Sequence, residues 1–323
     1  MIQDYIKSFS KLNRAPGKVW GSATKNRAPH KPIFLLALLD LFSRKSIQRN
    51  FIELTPEFND LFLSYWQKVV SLGQRSSIAF PFFHMKGEKF WHLIAVPGKE
   101  SSLAHTNRIS TMAQLKELVL GASIDEELFA NLQSEENRNI LRGILIHTYF
   151  SDEVQQSLKE QCVINNEAFN YSLNILNKSH QEFIKEQPIE DNYQSAVRDQ
   201  GFRRIVVMTY NHRCALCGVR IITVDGHTVV EAAHIIPWSI SHNDDIRNGL
   251  ALCRLCHWAF DEGMLGVSEN YEVITDKLIT NRDNYPGFLL NLSDRGIIGP
   301  EDKTLWPSQE SLSWHRKTFA LKR

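Results

Sequence analysis

Apolar residues recur at helical spacing through much of the first half of the chain and gather into strand-like runs near positions 228–234 and 264–274. Ile2, Ile6, Phe9 and Leu12 predict a first helix. Residues 13–32 are polar, basic and broken by proline and glycine, which reads as a loop ending in Lys-Asn-Arg-Ala-Pro-His-Lys-Pro. Ile33 to Phe42 is almost wholly apolar, so a buried helix is expected there with Pro32 in its first turn. An amphipathic helix is expected over 57–71. Pro81 keeps Phe80-Pro81-Phe82-Phe83-His84 from being a central strand. Lys86-Gly87-Glu88 reads as a turn, Phe90 to Val96 as a strand, and 111–120, 124–132 and 135–150 as helices.

Residues 151–192 are polar and acidic, suited to short helices at most, and Gln187-Pro188 stops any continuation. Residues 193–211 predict a helix with Val197, Phe202, Ile205 and Val206 on its apolar face. Arg198, Arg203 and Arg204 on that helix are candidate phosphate contacts. In the tail, Ser308 can cap a helix that docks through Leu312, Trp314 and Phe319. The fold class expected is α+β. A mostly helical domain with a small β element covers 1–155, a linker 156–190, and a second domain 191–323.

Length and charge refine this picture. A chain of 323 residues is long enough for two cores. Net charge is +1, which says nothing about nucleic acid, but residues 1–50 hold ten Lys/Arg against two Asp/Glu. Residues 125–190 hold five against twelve, so a basic first lobe facing phosphate is the expectation. The longest apolar run is far too short to span a bilayer and no signal pattern appears, which suggests a cytoplasmic protein without membrane contact.

The densest chemistry lies between Cys214 and Gly263. Cys214/Cys217 and Cys253/Cys256 form two Cys-x-x-Cys pairs, which suit one tetrahedral, structural Zn²⁺. Cys162 is left over as a free thiol. His234 ends a strand-like run, Asn248-Gly249 opens a loop-to-helix transition, and His257 and Asp261 share a helix face. This stretch resembles the HNH nucleases of the ββα-metal type. The resemblance implies a one-metal DNA hydrolase, with His234 as general base, Asn248 holding the loop that orients it, and His257 and Asp261 as ligands of Mg²⁺, Mn²⁺ or another divalent cation. Ala233 stands where many of these nucleases carry a further ligand. Glu231 is a candidate substitute, although an extended strand points it away from His234.

The first domain also resembles a family, the DNA sulfur-binding domains of restriction enzymes that recognise phosphorothioate-modified DNA. The segments Arg27-Ala-Pro-His30-Lys31-Pro and Phe80-Pro-Phe-Phe-His84, with the short hairpin after them, carry that resemblance. It implies an apolar hollow lined by Phe80, Pro81 and His84, with Arg27, His30 and Lys31 beside it. Sulfur is larger and less strongly hydrated than oxygen, so an apolar hollow favours it, while basic groups hold the remaining phosphate charge. In this family Tyr often replaces Phe80, and a small residue often replaces His84. The function expected is a type IV restriction endonuclease acting on phosphorothioate-modified double-stranded DNA; a homodimer is compatible with it. Two rivals are an HNH nuclease reading another modification or sequence, and a non-cutting DNA-binding regulator with a degenerate HNH domain.

Overall fold

A helix that is apolar on every side cannot lie at a surface. In the computed structural model the helix His30–Ser43 is buried continuously from Pro32 to Phe42. The structure describes residues 2–17, 19–70, 77–109, 111–178, 192–223, 226–280 and 284–321. The chain divides into two compact units, Met1–Asn166 with Thr223–His227, and Glu167–Ile222 with Thr228–Arg323. No helix among the described residues is long and apolar enough to cross a membrane.

The first unit is mostly helical. Its elements are α1 (Ile2–Ser10), α2 (His30–Ser43), α3 (Pro56–Val69), α4 (Ala79–His84), β1 (Trp91–Ala95), α5 (Glu100–His105), α6 (Met112–Leu118), β2 (Val119–Ile124), α7 (Glu126–Leu132) and α8 (Glu135–Tyr149). Helix α9 (Asp152–Lys178) begins in this unit and ends in the other. Around α2 pack the apolar faces of α3, α4 and α8. Asp40 in α2 is fully buried and is held by Arg142 Nη2 at 3.0 Å, Tyr65 Oη at 2.7 Å and Asn165 Nδ2 at 2.9 Å. A carboxylate in a core persists only with such partners.

The structure corrects two expectations in this unit. Val119–Ile124 is not a helix end. It pairs antiparallel with β1, Trp91 opposite Ile124. Gly121 lies where a Cβ would stand 2.9 Å from the carbonyl of Ile52, so only glycine lets residues 51–52 approach this strand. Residues 152–178, expected as short helices and linker, form one helix of 27 residues. Its buried stripe is Gln155, Leu158, Gln161, Cys162, Asn165, Ala168, Ser172 and Ile175, at helical spacing but half polar. A hydrophobic pattern does not mark such a stripe. The expected boundary near 188 lies outside the described residues.

The second unit is built on α10 (Asn192–Thr209), β3 (Val230–His234), α11 (Trp238–Ser241), β4 (Gly249–Cys253), α12 (Arg254–Asp261), β5 (Leu265–Val267), β6 (Val273–Thr275) and α13 (Gln309–Thr318). Strands β3 and β4 are antiparallel, with Val230 opposite Cys253 and His234 opposite Gly249. Helix α12 follows β4 without a loop, Cys253 being its N-cap residue. The unit thus presents an antiparallel strand pair, with α11 in the connection between its strands, that runs directly into a helix. Ser308 caps α13 by accepting from the Ser311 N–H, as its sequence suggests, and Leu312 is buried in the core.

Candidate functional site

Strand β3 ends on His234, and its ring lies flat on Phe202 of α10, with centroids 3.8 Å apart and planes 6° apart. Gly249, across the hairpin, makes room for this. A Cβ there would meet Val206 at 2.7 Å and Phe202 at 3.0 Å. His234 Nε2 is 2.7 Å from Oδ1 of Asp244, a fully buried carboxylate. Asn248, also buried, ties down the segment after His234. Its Nδ2 donates to the carbonyls of Ile236 and Asn243, each at 3.0 Å, and its Oδ1 accepts from the Ile236 N–H at 3.0 Å.

Helix α12 carries the other half of the site. His257 Nε2 faces Asp261 Oδ2 at 3.4 Å, and its Nδ1 faces Glu231 Oε2 at 3.5 Å. Burial raises the Asp261 carboxyl above its ordinary range, against the pull of His257. His234, His257 and Asp261 line one cleft of about 340 Å³, with Trp238, Phe260, Trp314, His315 and Phe319. Glu231 is not on that cleft. It stands at the opposite ring nitrogen of His257 and also pairs with Arg254 Nε at 3.3 Å. His315 stacks on Phe260 at 3.7 Å, with Nε2 2.9 Å from the Phe260 carbonyl, and burial lowers its pKa to about 4.

In the first unit the two motif segments meet as an aromatic cluster. The His30 ring lies 4.8 Å from Trp66, 5.0 Å from Phe80 and 5.3 Å from Trp20, and Phe80 lies 4.4 Å from His84 one helical turn on. Phe80 is exposed at the surface of this cluster, Pro81 is buried, and Arg27, three residues before His30, is exposed. His30 differs from the basic phosphate contact its sequence suggests. Although part of the residue is accessible, its Nδ1 is enclosed, and burial, then the His84 charge, lowers its pKa to about 4. It is therefore a neutral aromatic at pH 7. Lys31 is paired with Glu88 Oε1 at 2.5 Å, so its charge is already met within the protein.

Residues 9–166 match the family described as ScoMcrA-like DNA sulfur-binding domain, and residues 214–268 match the HNH endonuclease family. The chain joins a DNA sulfur-binding domain to an HNH endonuclease domain. No curated protein matches it. Among solved structures, a modification-dependent TagI restriction endonuclease is similar at 25% identity and a TM-score of 0.29, covering 41% of this chain and 44% of that one. The match spans less than half of that protein.

The HNH domain has a second cluster that fits a metal. Sγ atoms of Cys214, Cys217, Cys253 and Cys256 all lie within 4.8 Å of one another, and those of Cys217 and Cys253 are 3.7 Å apart. Zn–S bonds of about 2.3 Å in a tetrahedron place sulfurs roughly 3.8 Å apart, so the four clustered thiols suit a zinc ion. Gly218, at φ +77°, closes the first knuckle by donating its N–H to the Cys214 carbonyl at 2.9 Å. The second knuckle is the first turn of α12, so the metal would fix the helix that carries His257 and Asp261.

Some residues of the HNH site were not singled out in the sequence. Asp244 is one of two adjacent buried acids before Asn248, and nothing local says which of them meets His234. Arg198, a candidate phosphate contact in the sequence, is buried and bonds Asp244 through Nη1 at 3.0 Å. Arg204 donates to Ser172 Oγ at 2.9 Å, while Arg203 is exposed.

The shift at His30 gives the sulfur-binding domain a pH dependence. An unfolded histidine protonates near 6.5, whereas the folded one does so near 4. Between those values the unfolded state binds more protons, so stability should fall as pH drops from 6.5 towards 4, by up to roughly 3 kcal/mol. Urea unfolding of the wild type and of His30→Phe across that range checks this. The variant should lose part of the slope, and equal slopes would contradict the assignment.

Proposed function

We propose that this protein is a modification-dependent restriction endonuclease that reads a phosphorothioate in duplex DNA and hydrolyses a phosphodiester nearby. One observation carries the reading. A DNA sulfur-binding domain and an HNH domain occupy the same chain, and in the latter His234, His257 and Asp261 converge on one cleft.

In the HNH domain His234 is the general base, taking the proton of the attacking water. Asn248 holds the backbone that follows it. His257 and Asp261 hold a divalent cation, Mg²⁺ or Mn²⁺ among the candidates, which when bound polarises the phosphodiester and stabilises the leaving oxygen. Glu231 orients His257 through the far ring nitrogen rather than acting as a ligand, the arrangement by which a carboxylate fixes a ligating imidazole. In the sulfur-binding domain Phe80, His84 and neutral His30 offer the sulfur an apolar surface backed by Pro81, and Arg27 holds the phosphate charge. A substrate of this kind fits a cytoplasmic protein with host defence as its role.

The reader is tested by titrating full-length protein with two duplexes differing in one phosphorothioate, at two salt concentrations. Phe80→Ser should erase the preference for sulfur more than the residual binding to ordinary DNA, since oxygen keeps its water shell and gains little from an apolar lining. Arg27→Ala should weaken both duplexes and lower the salt dependence. A Phe80→Ser protein that keeps the full preference would remove the hollow from the account.

A further inference from the structure

Behind His234 lies a group of buried polar side chains that the nuclease reading does not use. Asp244 is fully buried on the segment between α11 and β4. Its Oδ1 is 2.7 Å from His234 Nε2 and accepts from Arg198 Nη1 at 3.0 Å. Its Oδ2 accepts from Tyr171 Oη, on α9, at 2.9 Å. The guanidinium of Arg198 lies 3.9 Å over the Trp238 ring. Burying a carboxylate this completely is costly unless its charge is met, and here a cation, a phenol and an imidazole meet it.

We infer that Asp244 is a positioning residue that fixes the tautomer of His234, so that Nε2 carries the proton and Nδ1 presents a lone pair to water. The inference rests on the proposed role of His234 as base. An ionised carboxylate can only accept, so the nitrogen facing it must be the N–H. Arg198 and Tyr171 hold the Asp244 carboxylate in place, and the flat stack on Phe202 fixes the ring's orientation. The other titratable groups on the cleft are His257 and Asp261 of α12 and His315 of α13. His315 is directed at the Phe260 carbonyl, and His257 lies between Glu231 and Asp261, so Asp244 is the carboxylate bonded to the His234 ring among the described residues.

Nitrogen-15 NMR of full-length, zinc-loaded protein with labelled histidine reads the tautomer directly, the His234 signals being those lost in His234→Ala. The wild type should show Nε2–H and an unprotonated Nδ1. Asp244→Asn can turn its amide towards the ring, donate to Nε2 and move the proton to Nδ1. Single-turnover cleavage should then fall about 10²–10⁴-fold with DNA affinity unchanged. A wild-type ring protonated on Nδ1 would overturn the inference even if Asp244→Asn failed to fold. So would Asp244→Asn cutting at the wild-type rate while His234→Ala is inactive. His234→Ala cutting normally would overturn the base assignment itself, which is a separate result.

Discussion

His234→Ala should cut DNA about 10²–10⁴-fold more slowly than the wild type, the usual worth of a positioned base, while binding DNA with nearly the same affinity. The separation follows from the two domains. His234 lies in the HNH cleft of the second unit, whereas the Phe80 surface is built by α2, α3 and α4 of the first. The ring also contributes to packing through its stack on Phe202. His234→Phe therefore serves as a companion, keeping a flat ring without nitrogen, and should be as inactive as the alanine variant. Single-turnover cleavage and gel-shift titration on the same preparation separate the two quantities. A variant that cuts at the wild-type rate would show that another group activates water.

Cys253→Ser should unfold the HNH domain. Zinc held by four thiolates contributes on the order of 10–16 kcal/mol to small zinc modules, which matches or exceeds the whole stability of a typical domain at about 5–15 kcal/mol. Cys253 ends β4 and caps α12, so its loss would release both the hairpin carrying His234 and the helix carrying His257. Metal analysis of the wild type should find one zinc per chain. Circular dichroism of the variant should show a loss of helix, with sulfur-domain DNA binding retained. Zinc-free protein with an intact HNH domain would contradict this role for the cysteines.

The second unit was more legible in the sequence than the first. Its chemistry sits on a short continuous stretch, and the β3–β4 pair with the helix after it brings His234, His257 and Asp261 to one cleft. The side chains that set their environment come from far along the chain. Arg198 reads as a surface cation because its partner, Asp244, lies 46 residues away. Tyr171 reaches the same carboxylate from a helix whose buried stripe is half polar. In the first unit the apolar helix and the aromatic segment were plain, but the neutrality of His30 depends on Trp20, Trp66 and Phe80 closing around it. The strand at 119–124 also depends on a distant partner. Its leucine and valine fit either element until β1 and residue 52 claim its backbone.

A chain that reads sulfur and cuts DNA must distinguish a modified duplex from a plain one in cleavage itself. The most direct test is cleavage of two duplexes identical except for a single phosphorothioate, by full-length protein supplied with Mg²⁺ or Mn²⁺. The account predicts cutting of the modified duplex near the mark and little or none of the plain one. Equal cutting of both would contradict it.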